Sequence, residues 1–211
     1  MKSLRRKAIS ILTGLMAFLM LTACSGGTAA VTWETSRTKQ YYESCGVTGQ
    51  NISLQTTMSA GGMQGDCFFT RNKEFAYAQL NNGNESLIFL TDTEGNVYAT
   101  EAGNDDWTKH TPGSSYGQLT NIIWAGYQFA IPTADNIEDI VSEKVSRNGI
   151  EYTAETIQMS VNGTPASYTY YYGKNGLEFV ENMGARFKIT KLSGAPTTDY
   201  LKTPAKWHLG G

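Results

Sequence analysis

Asn51-Ile52-Ser53-Leu54-Gln55-Thr56-Thr57-Met58-Ser59 decides the fold class of this 211-residue chain. Ile52, Leu54, Thr56 and Met58 fall on one parity. Ser53, Gln55, Thr57 and Ser59 fall on the other. Successive side chains of a strand point to opposite faces, so this alternation predicts a β-strand with one buried face. Residues 67–71, 75–80, 86–91 and 96–101 read as further strands. Asn-Gly pairs stand at Asn82-Gly83, Asn148-Gly149, Asn162-Gly163 and Asn175-Gly176. Both residues of such a pair accept positive φ, which makes it a strong hairpin signal. Glu94-Gly95-Asn96 adds another turn. The pattern is an antiparallel meander.

Three segments have helical character. Residues 34–44 contain no Gly or Pro and stop before Gly46. In 114–124, Leu119, Ile122 and Ile123 approach helical spacing. In 133–141, Pro132 precedes the segment, Asp135, Glu138 and Asp139 crowd its start, and Ile137, Ile140 and Val141 form a stripe, which predicts a second mid-chain helix. Strands resume at Glu143 and run to Leu192, where Phe187 and Ile189 oppose Arg186, Lys188 and Thr190. Between 151 and 161 the apolar phase slips. Tyr152 and Ala154 share one parity and Ile157, Met159 and Val161 the other, which predicts a β-bulge near Glu155. The expectation is about nine strands in two groups with three short helices. Helices of about ten residues are only ~15 Å long, too little to cover the apolar face of such a sheet. Either the sheet closes on itself or an apolar hollow remains, and the hollow points to ligand binding.

The N-terminus carries an address. Lys2, Arg5, Arg6 and Lys7 come with no acid, and residues 8–23 carry no charge. A basic stretch before a short apolar run is the layout of a secretory signal. Leu21-Thr22-Ala23-Cys24 ends the run, and Ser25-Gly26-Gly27-Thr28-Ala29-Ala30 follows as a flexible tether. The expected organisation is a cleaved signal peptide at 1–23, a lipidated Cys24 with tether at 24–32, and one domain at 33–211. Loss of residues 1–23 leaves thirteen bases against nineteen acids, a formal net charge of about −6. Scattered acidic charge excludes a nucleic-acid partner, which needs clustered Lys and Arg. Cys45 and Cys67 are then the remaining cysteines, an even pair in an exported domain. They are a possible disulfide, closing a loop of about 20 residues at ~3 kcal/mol, with two buried free thiols as the alternative.

Further stretches carry a family resemblance: 41–58 at the start, then Glu155-Thr156-Ile157, Tyr170-Tyr171-Tyr172-Gly173, Phe187-Lys188-Ile189-Thr190-Lys191-Leu192 and Asp199-Tyr200-Leu201-Lys202-Thr203-Pro204. In the order of its elements the chain resembles the LolA-like lipoprotein carriers and their lipid-anchored relatives of the LppX group, and Leu21–Cys24 resembles the bacterial lipobox. The resemblance implies an α+β, mainly antiparallel fold: a strongly curved, incomplete barrel with short helices covering its concave face. It also implies a diacylglycerol on the Cys24 thiol and an apolar ligand, a lipid or acyl chain, in the hollow. An anchored chain stays on one membrane, so local capture or presentation replaces shuttling.

Other constellations are weaker. Gly113-Ser114-Ser115-Tyr116-Gly117 matches G-x-S-x-G, with Asp199 and His208 following in hydrolase order. The preceding Lys109-His110-Thr111-Pro112 is loop-like, so no triad is assigned. His110 and His208 have no further ligands at metal spacing. Asp92-Thr93-Glu94-Gly95 and Gly103-Asn104-Asp105-Asp106 read as turns rather than calcium loops. Trp107, Leu119, Ile123, Trp124, Tyr127 and Phe129 are the candidate lining of the hollow. The expected function is a membrane-anchored lipoprotein on the extracytoplasmic face that binds an apolar small molecule or lipid. The alternative is a structural or partner-binding envelope lipoprotein without a small-molecule ligand. No catalytic residue, metal, cofactor or specific protein partner is assigned.

Overall fold

The alternating stretch around Leu54 is the centre of one wide sheet. A computed structural model describes residues 28–47, 50–83, 85–101, 103–114, 134–161 and 164–210. Among them the strands are β1 (Ala29–Ala30), β2 (Ile52–Ala60), β3 (Met63–Arg71), β4 (Phe75–Asn82), β5 (Glu85–Asp92), β6 (Val97–Glu101), β7 (Trp107–His110), β8 (Ile137–Arg147), β9 (Ile150–Val161), β10 (Thr164–Gly173), β11 (Gly176–Asn182), β12 (Ala185–Ser193) and β13 (Trp207–Leu209). Their order across the sheet is β1-β8-β9-β10-β11-β12-β2-β3-β4-β5-β6-β7-β13. Neighbours are antiparallel except β13, which runs parallel to β7. Two meanders, β2–β7 and β8–β12, are joined where β12 pairs with β2, from Arg186↔Ser59 to Ser193↔Ser53. β1 and β13 are the two edges, so the sheet is open.

One face holds the main core. Ile52 and Leu54 are fully buried there with Phe69, Phe89, Tyr168, Tyr170, Tyr172 and Phe187, while Gln55 on the opposite parity is exposed. Helix α1 (Arg37–Ser44) adds Tyr42 to this face, edge-on to Tyr170 at 6.3 Å. Ser36 caps the helix by accepting from the Lys39 amide. The buried carboxylate of Glu155 accepts from the Arg37 and Thr38 amides at 2.7 and 2.8 Å and from the Thr38 hydroxyl at 2.8 Å. It thereby satisfies N-terminal amides that the helix cannot pair itself. Tyr172 donates to the same Thr38 hydroxyl.

Several expectations are corrected. The described residues form thirteen strands in one sheet, not about nine in two groups. Residues 34–44 divide into a 3-10 turn at Trp33–Thr35 and α1. The segment 134–141 is not a helix. After a 3-10 turn at Ala134–Asn136 it enters β8, paired with β9 from Ile137↔Met159 to Arg147↔Ile150. Ile137, Ile140 and Val141 are β-branched, and the long ladder outweighs their helical spacing. The bulge near Glu155 is absent. β9 pairs without interruption with β10 from Val161 to Thr153, and the β8–β9 register shifts only between Ile137 and Asp139. The phase slip has another cause: Tyr152 and Ala154 are buried on one face and Glu155, Ile157 and Met159 on the other. Ala29–Ala30, within the expected tether, are paired to β8. Helices covering a concave face are not matched: the described residues contain α1 and three 3-10 turns. The predicted helix at 114–124 lies, from Ser115 on, outside the described residues.

Candidate ligand groove

The second face of the sheet carries two aromatic clusters that are covered in different ways. On β4–β6, Tyr77, Leu90 and Tyr98 lie under the C-terminal tail, which contributes Leu201 and stacks Tyr200 on Tyr77 at 4.7 Å. On β9–β11, Tyr152, Ala154, Tyr171 and Phe179 form the other cluster. Tyr171 and Phe179 stack at 4.5 Å and 19°, with Tyr152 edge-on to Phe179 at 5.6 Å. Here the cover is two guanidinium groups. Arg147 lies 4.2 Å from the Tyr171 ring centre and Arg186 lies 4.3 Å from that of Phe179. Guanidinium planes stack well on aromatic faces because they are weakly hydrated and delocalised.

Glu181 fixes both arginines. Nη1 of Arg147 donates to its two carboxylate oxygens at 2.9 and 2.8 Å. Nε and Nη2 of Arg186 donate to Oε1 at 3.0 and 2.8 Å. Arg147 also donates to the Tyr171 hydroxyl. Burial, with Glu181 close by, pushes the Tyr171 phenol well above the ordinary tyrosine value, so it stays neutral.

Beside this cluster opens a cavity of about 430 Å³, lined by Ser146, Arg147, Asn148 and Ile150 of the β8–β9 turn and by Tyr152, Phe179 and Arg186. Its wall contains two cations and no carboxylate, because Glu181 holds the arginines from outside the lining. The arrangement offers charge-assisted donors over an aromatic floor. It can bind an anionic group attached to an apolar body. No sequence signal marks the site: Arg147, Glu181 and Arg186 sit on three strands, and no spacing links them.

The other expected site residues are dispersed. Cys24 lies outside the described residues, as do Leu119, Ile123, Trp124, Tyr127 and Phe129. Trp107 is on β7 and packs in the tail-covered cluster with Tyr98 and Leu201. Cys45 follows α1 and Cys67 is buried on β3, and the possible disulfide between them is not formed. Burial and the neighbouring Cys45 push the Tyr41 phenol up to about 12. Ser115 lies outside the described residues, and the carboxylate beside His208 is Asp106 rather than Asp199. Nδ1 of His208 lies 3.0 Å from Asp106 and its Nε2 lies 3.1 Å from the Thr108 hydroxyl. This hydroxyl–imidazole–carboxylate row has the order of a hydrolase triad, but the His208 and Asp106 side chains are 48% and 71% exposed. Open water deprives such a row of the low-dielectric setting that catalysis requires, and its effect here is to tie β13 to β7. Asp92 accepts from the Glu94 and Asn96 amides, which makes a side-chain-stabilised turn of that loop. Asn104 does the same for Asp106.

No protein-family model matches this chain, and no curated protein matches it. Among solved structures it is similar to PNGF-II in a C2 space group, at 11% identity and a TM-score of 0.36. The alignment covers 77% of this chain and 31% of that one, so this chain spans under a third of that protein's length. A likeness at that level assigns neither fold nor function.

Proposed function

We propose that the protein is a membrane-anchored lipoprotein of the extracytoplasmic face, carrier-like in the LolA sense, that binds rather than transforms its ligand. The observation that carries the binding reading is the groove of about 430 Å³ with two guanidiniums above an aromatic floor. The anchor rests on the basic and apolar run ending in Leu21-Thr22-Ala23-Cys24. Two acyl chains on Cys24 hold a protein stably at a membrane, where one chain is marginal. Among the described residues, a cavity on the main face lined by Met58, Gly65, Cys67 and Leu80 holds only about 20 Å³, room for a single water.

Two measurements test this reading, one on cells and one on the lipidated protein. Metabolic labelling with a fatty-acid analogue is expected to mark the wild-type chain and not Cys24→Ala. Persistent label in the variant removes the anchor. Native mass spectrometry of the lipidated protein is expected to show a bound amphiphile that is depleted in the Arg147→Gln/Arg186→Gln double variant. Equal occupancy in both proteins removes the groove as the binding site.

A further inference from the structure

The groove stands at the corner of the sheet that the anchor reaches. β1 pairs Ala29 with Ser142 and Ala30 with Val141. The pairing is antiparallel, so the chain preceding Ala29 leaves toward the Arg147 end of β8. Five residue steps separate Ala29 from Cys24, a span of at most about 18 Å. Five steps also separate Ser142 from Arg147, about 17 Å along the strand. With Ala29 held in the sheet, a lipid on Cys24 would lie within about 18 Å of Ala29 and so near the β1–β8 edge that supplies Arg147.

The corner also has the surface that a bilayer selects. Ile150 lines the groove and is 51% exposed. Met183 is 70% exposed and occupies the turn between β11, which carries Glu181, and β12, which carries Arg186. Its φ is +48°, in the left-handed region where glycine or asparagine is at ease and a methionine is not. Ile150 therefore lies in the groove wall, and Met183, two residues from Glu181, occupies a backbone position that disfavours it. Glu178 lies beside Tyr152, and the residues of β8 that share the face of Arg147 are Val145 and Glu143.

We propose that the groove takes the phosphate of an anionic membrane phospholipid. This rests on the anchored-lipoprotein reading and names the ligand of its groove. Arg147 and Arg186, oriented by Glu181, donate to the phosphate oxygens. The glycerol and first acyl carbons lie on Phe179 and Tyr152 against Ile150, and Met183 enters the headgroup layer. Arginine stems and exposed apolar side chains share an interface in this way because the charge stays at the headgroups while the carbon is buried. The lining offers guanidinium donors and no carboxylate, because Glu181, which binds both arginines, stands outside it, so an anion entering the groove meets donors first.

The test is arginine footprinting with phenylglyoxal on the full lipidated protein in nanodiscs, read by mass spectrometry. Three arms are compared: phosphatidylcholine alone, phosphatidylcholine with phosphatidylglycerol, and phosphatidylcholine with inorganic phosphate in the buffer. Modification of Arg147 and Arg186 is expected to slow roughly fivefold or more in the phosphatidylglycerol arm, the usual scale for a basic residue at an anionic surface, while Arg71 is unchanged. Equal protection by inorganic phosphate overturns the membrane source, and equal rates in all arms overturn the proposal. The mass of the N-terminal peptide is read in the same digest. A diacylglycerol on Cys24 with unprotected arginines refutes this inference alone, whereas an unmodified Cys24 refutes the anchored reading beneath it.

Discussion

Arg147 holds both carboxylate oxygens of Glu181, although the strand ladder sets them far apart. Glu181 shares its row with Thr169, Thr156 and Val141, and Arg147 lies six residues beyond Val141 on β8. Six strand residues span about 20 Å. The contact therefore requires the long β8–β9 hairpin to bend across the second face toward β11, as strong sheet twist allows. That bend brings the turn residues Arg147, Asn148 and Ile150 together with Phe179 and Arg186, and so makes the groove.

Glu181 is expected to be the latch of this bend. Glu181→Gln removes the charge shared by two arginines that are 39% and 47% exposed. The expected loss of stability is small, about 1 kcal/mol, because exposed ion pairs are screened. The larger expected effect is local. Amide hydrogen exchange in 146–152 should accelerate several-fold while β2–β5 is unchanged. Uniform exchange across both regions would show that the hairpin is held by other contacts.

Glu155 presents the opposite case, since its carboxylate is 3% exposed and accepts from three donors of α1. Glu155→Gln places an amide NH2 against N–H groups and leaves donors unpaired, which is expected to cost about 2–3 kcal/mol. Thr38→Val should cost less, and the two changes together less than their sum, because they break one network. Chemical denaturation of the four proteins measures this, and strict additivity would contradict a shared network.

Much of this fold was legible in the sequence. The parity of 51–59 matches β2, and the Asn-Gly turn at 148–149 has positive φ at both residues, 53° and 77°. The hairpin at Met183-Gly184 was not legible, because nothing in a Met-Gly pair signals φ values of 48° and 79°. The helix expected at 133–141 failed because local spacing cannot register a partner strand. The groove was invisible for a related reason: it is assembled by a bend in paired strands, and periodicity along one strand does not report a bend. The two-sided burial of β9 was present in the sequence as a phase slip, but one parity packs under arginines and the other under α1, which no single-strand pattern separates.

Gly194 is expected to be irreplaceable where β12 runs out beside the end of α1. Its amide donates to Cys45 O at 3.0 Å, and a Cβ there would stand 1.6 Å from Gly46 O. The obstacle is backbone, which cannot swing aside. Gly194→Ala should destabilise by about 2–4 kcal/mol, within the range of severe steric substitutions. Gly113→Ala, whose Cβ would meet nothing within 4 Å, is the matched control. Equal melting temperatures for the two variants would contradict the close approach.

The β7–β13 end of the sheet is expected to weaken in acid. Burial, with His208 nearby, holds the His110 imidazole below its ordinary pKa of 6.5. Between the folded and unfolded values the unfolded chain binds more protons, so stability rises with pH across that window. The contribution is complete above about pH 6.5 and is lost as the pH falls through the lower, folded value. His110→Gln should flatten this part of the profile. Urea midpoints measured from neutral to mildly acidic pH test it, and an unaltered slope in the variant would assign the effect to other groups.

Met183 separates stability from surface function. At φ +48° an asparagine is the better residue, so Met183→Asn should raise the unfolding free energy by about 0.5–1 kcal/mol. The same change removes the exposed thioether from the turn that leads into the strand of Arg186. If Met183 serves the headgroup layer, the variant should be more stable yet show weaker phosphatidylglycerol protection of Arg147 and Arg186. A stability gain with undiminished protection would leave the methionine without a membrane role while the arginines keep theirs. A stability loss would mean that the turn is held by side-chain contacts of Met183, which its exposure argues against.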